Sequence, residues 1–116
     1  MILISTFQAN WLILDMPRMG PMYYIGSLHT DNDTRYVLAR IVGSRQCKFT
    51  PIDEVKDIER FYTYRAAVEA LKVLMRTPLK ELPDGKYLVG IIAAADGKPY
   101  ASVPLTINNG VSPCKT

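Results

Sequence analysis

Cysteine and histidine are scarce in this chain. Cys47 and Cys114 stand far apart with no CxxC pair, and His29 is the sole histidine. Such a set excludes a disulfide framework, and it supplies neither the ligands of a structural zinc site nor a haem attachment. No cofactor or metal is expected. The seven glycines are scattered, so neither GxGxxG nor a phosphate-loop lysine occurs, and nucleotide chemistry is disfavoured. Long apolar runs are also missing. Gln8 and Asn10 interrupt the apolar start and no Lys or Arg precedes it, whereas a spanning helix needs about 20 apolar residues and a signal peptide a basic leader. The expectation is a cytoplasmic protein with no membrane contact, and the free cysteines agree with a reducing compartment.

What is present suits one globular domain: 116 residues, 48% hydrophobic and 22% charged. Residues 1–110 read as the domain and 111–116 as a polar tail. The formal net charge is only +3, but residues 35–80 hold ten basic side chains against five acidic ones. An anionic partner would meet that middle segment first.

Apolar patterning gives an α+β fold: an antiparallel sheet of five or six strands with two short helices, about 51–60 and 63–76, packed on one face. Met1 to Met16 reads as strand material, either a hairpin that turns at Ala9 and Asn10 and returns over Trp11 to Leu14 or one bent strand. Pro17, Gly20 and Pro21 make residues 15–22 a loop. Tyr23 to His29 and Tyr36 to Val42 are two strands joined by the turn formers Thr30 to Thr34. Thr50 then looks like an N-cap, with Pro51 at the first helical position and Asp53, Glu54 and Asp57 near the positive end of the dipole. The stripe Ile52, Val55, Ile58 is out of phase with Val68, Leu71, Met75, so a break near Phe61 to Thr63 separates two helices, the second capped by Thr63. Tyr87 to Ala94 is apolar enough for the middle of a sheet. Tyr100 to Ile107 alternates, with Tyr100 outward, and Pro99 and Pro104 assign it to an edge that offers a route to dimerisation.

Three constellations could carry function. Arg18, Met19, Met22 and Tyr23 lie in or beside the methionine-rich loop, and methionine, tyrosine and arginine are contact-forming residues, so this loop is the favoured protein-binding segment. Arg60, Tyr62, Tyr64 and Arg65 combine guanidinium groups with aromatic rings, the pairing that binds single-stranded nucleic acid by stacking and phosphate neutralisation. Cys47 with His29, or Asp53 with Asp57 at one-turn spacing, could serve a small hydrolase. A buried or incidental cysteine and an acid-rich helix start are the plainer readings of those residues. No residue set identifies a reaction. The expected function is a non-enzymatic docking module for a protein partner, such as a small accessory regulator or inhibitor of the kind viruses and mobile elements carry. Nucleic-acid binding through 35–80 is the alternative, and hydrolysis the third.

Overall fold

The computed structural model describes residues 11–12, 22–41, 43–44, 46–76, 82–95 and 97–108. Along them run β1 (Tyr23–His29), β2 (Arg35–Arg40), β3 (Cys47–Pro51), α1 (Tyr64–Arg76), β4 (Gly85–Ala93) and β5 (Pro99–Ile107). The strands make one antiparallel sheet in the order β3-β2-β1-β4-β5. The α+β class therefore holds, with one helix among the described residues.

Strand placement follows composition. β1 and β4 are the most continuously apolar segments and lie next to each other inside the sheet, buried on both faces. The turn between β1 and β2 closes as an Asx turn, in which Thr34 N–H donates to Asn32 Oδ1 at 3.0 Å. Asp33 takes the left-handed conformation there, at φ 64°, a region that aspartate enters more readily than most residues. β5 is an edge strand, as its prolines require. Leu88 faces β1 with its backbone groups, so its partner Pro104 turns its nitrogen outward, where no ladder bond is lost.

Two hydrophobic clusters sandwich the sheet. On one face α1 lays Ala67 and Leu71 over Ile25, Leu38, Tyr87 and Val89, with Val68, Leu74 and Met75 at the margin. Thr63 caps this helix as expected: its Oγ1 accepts the Ala66 N–H at 3.0 Å. On the other face Trp11, Met22, Tyr24, Leu28, Val37, Ile58 and Ile92 come together. Gly26 pairs across the sheet with Gly90, and the indole of Trp11 lies against Gly26 where a side chain would otherwise stand. The Tyr24 hydroxyl donates to the Leu12 carbonyl at 2.7 Å and ties this segment to β1. Trp11 and Leu12 belong to no strand, while the rest of the expected hairpin over 1–14, like the tail at 111–116, lies outside the described residues.

The helix expected over 51–60 does not form. Thr50 sits in β3 opposite Val37, and Pro51 ends that strand opposite Tyr36. A turn follows, closed by Glu54 N–H donating to the Pro51 carbonyl at 2.8 Å. The reason lies in β1 and β2, which pair only from Gly26 to Leu28 and then diverge. Residues 57–61 enter that fork in extended form. Tyr23 and Phe61 exchange both backbone hydrogen bonds at 2.8 Å, Arg40 N–H donates to the Asp57 carbonyl at 2.8 Å, and Glu59 N–H donates to the Leu38 carbonyl at 3.0 Å. Four ladder bonds at otherwise open strand ends outweigh a helix cap worth about 1 kcal/mol. Ile52, Val55 and Ile58 still reach the second cluster, so their apolar character was read correctly and their period was not. No described helix is long and apolar enough to cross a membrane.

Candidate interaction surface

A bulge at the start of β5 creates the surface. Ile91 pairs with Ala101 and Ile92 with Pro99, leaving Tyr100 as the extra residue. Its ring stands 5.9 Å from that of Tyr23 at an interplanar angle of 86°. Tyr64, the first residue of α1, completes a triangle, 5.7 Å from Tyr23 and 6.0 Å from Tyr100. The two contacts of Tyr23 are edge-to-face, while Tyr64 and Tyr100 meet tilted at 47°; edge-to-face rings at these separations attract by about 0.5–1.5 kcal/mol per pair. The cluster is thus ordered before anything binds. Tyr23 is half-buried against the core below α1, whereas Tyr64 is 39% and Tyr100 59% exposed.

The inserted segment brings the remaining candidates to the same end of the sheet. Phe61, bonded to Tyr23 through the backbone, fixes its chain neighbours Arg60 and Tyr62 at this end. Tyr62 is 63% exposed and lines a shallow hollow with Arg60, Arg40, Asp57 and Glu59. Within it Arg40 Nε lies 3.3 Å from Glu59 Oε1. Arg65 follows Tyr64 in the first turn of α1 and is exposed.

Two candidate sets that looked separate in the sequence therefore converge. Tyr23, from the loop set, touches Tyr64, from the basic-aromatic set. Met22 goes elsewhere: it is 5% exposed and packs with Trp11 and Tyr24 in the second cluster. Arg18 and Met19 lie outside the described residues. Tyr100 was missed as a site residue, because alternation alone marks it as an outward edge residue. Only the bulge turns it toward Tyr23.

The residues considered for hydrolysis are dispersed. Cys47 pairs with Arg40 at one end of β2, and His29 pairs with Tyr87 at the hairpin end of β1. A six-residue strand separates those ends by about 17 Å. His29 is engaged by backbone on both sides: Nδ1 accepts the Asp31 N–H at 3.2 Å, and Nε2 lies 3.3 Å from the Asp84 carbonyl. The Cys47 thiol is pushed above its ordinary range, chiefly by burial and then by the Glu59 carboxylate. Asp53 lies by the β1–β2 turn and Asp57 at the opposite end, so the proposed carboxylate pair does not assemble. Among the described residues no group of three or more His, Cys, Asp or Glu side chains is placed to hold a metal. Compared with known proteins, the chain matches no family model, no curated protein and no solved structure.

Proposed function

We propose that this protein is a non-enzymatic docking module, and that its contact surface is the tyrosine triangle of Tyr23, Tyr64 and Tyr100 with Tyr62 at its rim. The observation that carries the reading is the exposure of Tyr64 and Tyr100 within a mutually packed cluster. Tyrosines supply large amphipathic contact area at low entropic cost, and rings already held by neighbours lose less freedom on binding. Binding hot spots are enriched in tyrosine and arginine. Each edge-to-face contact also removes one ring face from solvent. That favours a protein, which can use ring edges and hydroxyls, over a nucleic acid that needs open faces for stacking.

The test is site-specific photo-crosslinking in extract from the native cell. A crosslinker at position 100 should capture a defined partner that Tyr64→Ala releases, while one at exposed position 73 on the far part of α1 should not. Equal capture from both positions would overturn the reading. Nucleic-acid binding keeps the support of Arg60 beside the exposed Tyr62. It requires that affinity for a single-stranded oligonucleotide fall steeply with salt and fall further in the Arg60→Ala, Arg65→Ala double variant.

A further inference from the structure

The charge at the two ends of the sheet differs in sign. The end that holds the β1–β2 turn and the start of β4 carries Asp31, Asp33, Asp53 and Asp84 against Arg35 and Lys86. Among the described residues the opposite end carries Arg40, Arg60 and Arg65 against Asp57 and Glu59. The tyrosine triangle sits at that second, positive end. Glu59 is already engaged by Arg40. Beside the tyrosines α1 begins with no acidic residue in its first turn and with Arg65 in place of one, so the positive end of its dipole adds to the same sign.

From this polarity we infer that the segment docking on the tyrosine triangle is an acidic peptide of the partner protein. Its apolar or aromatic side chain meets the ring edges of Tyr64 and Tyr100, and its carboxylates meet Arg65, the next residue of α1, and Arg60 in the hollow beside Tyr62. The inference rests on the docking reading and specifies its ligand. A basic segment is turned away by the same charges, which gives the surface selectivity as well as attraction.

A random dodecapeptide library selected on the immobilised protein, with the Tyr100→Ala variant as counter-selection, separates the two claims. The expected outcome is enrichment of peptides with net negative charge around an aromatic or branched apolar residue. Their affinity should drop at least tenfold in the Arg60→Ala, Arg65→Ala double variant, and should weaken as salt rises. Enriched peptides that are neutral or basic overturn the acidic partner and leave the docking surface standing. No enrichment over Tyr100→Ala overturns both, as does tighter binding of an oligothymidylate at the same residues. Arg60 and Arg65 are exposed, so an unchanged melting curve is expected for the double variant, and a shifted one would assign those side chains to folding and overturn the inference.

Discussion

Trp11 occupies the space that any side chain at Gly26 would need: a Cβ built on Gly26 falls 2.5 Å from Cζ3 and 2.7 Å from Cη2 of the indole. Neither atom belongs to a flexible chain end. The contact fixes the unstranded segment at Trp11 onto the sheet, with the Arg35 guanidinium 5.9 Å from the indole centre on the outside. Gly26→Ala should therefore destabilise the protein by about 1–3 kcal/mol, although alanine ordinarily suits a strand better than glycine. Urea unfolding measures this. A midpoint that stays or rises would show that Trp11 does not rest there.

Leu71 is the deepest large side chain that α1 contributes to the sheet, and its truncation tests that layer. Leu71→Ala should cost about 2–5 kcal/mol, because the cavity lies between a helix and a rigid sheet and collapses poorly. The exposed neighbour gives the contrast: Lys72→Ala, on the solvent side, should change stability by no more than about 0.5 kcal/mol. Equal effects from the two substitutions would contradict the packing of α1.

Alkaline pH supplies a third test. The phenols of Tyr24 and Tyr87 are held well above the ordinary tyrosine range by burial, the first partly offset by its bond to the Leu12 carbonyl. A group whose folded value is raised contributes stability that is complete below the unfolded value of about 10 and declines as pH climbs beyond it. Stability should thus be flat through neutral pH and fall above about 10. Tyr24→Phe should remove part of that fall. Ultraviolet titration should show Tyr24 and Tyr87 ionising only with the steep loss of structure. Ionisation of either phenol below the unfolding transition would refute its burial.

Cys47 provides a fourth. With its thiol raised above the ordinary value, the thiolate fraction at neutral pH is smaller than that of a free cysteine. Alkylation by iodoacetamide at pH 7 should run slower than for a model thiol, and should accelerate in Glu59→Gln, which removes the neighbouring carboxylate that disfavours the thiolate. Reaction faster than the model thiol would mean an activated cysteine and would reopen hydrolysis.

Much of the sheet is legible in the residues themselves. In the sequence Tyr23–His29 is bounded by the helix- and strand-breaking Pro17, Gly20 and Pro21 on one side and a run of turn formers on the other, and Pro104 can stand only on an outer edge. Thr63 and the stripe through Leu71 define α1 because cap and period agree. The segment after Thr50 misleads because its signals are all local. Thr-Pro followed by acids satisfies a helix start, whereas the demand that overrides it comes from Tyr23, Leu38 and Arg40, remote in sequence and adjacent in space. The tyrosine cluster was half visible for the same reason. Tyr64 and Tyr23 stood out by composition, but their meeting depends on the fork, and the arrival of Tyr100 depends on a bulge that no residue type announces.

The forked hairpin also sets an order of events during folding. Only the turn-proximal part of β1 and β2 can zip through local contacts, since the ladder stops at Gly26 and Val37. The remaining backbone groups of both strands wait for residues 57–61. Those residues are delivered by a chain excursion that must first lay down β3 and its turn. Loop closure is spent before the reward arrives, a pattern that slows folding relative to a simple meander of the same length. An early intermediate with a frayed β1 start would lack both Tyr23–Phe61 pairing and the tyrosine triangle, so that triangle is among the last parts of the molecule to form.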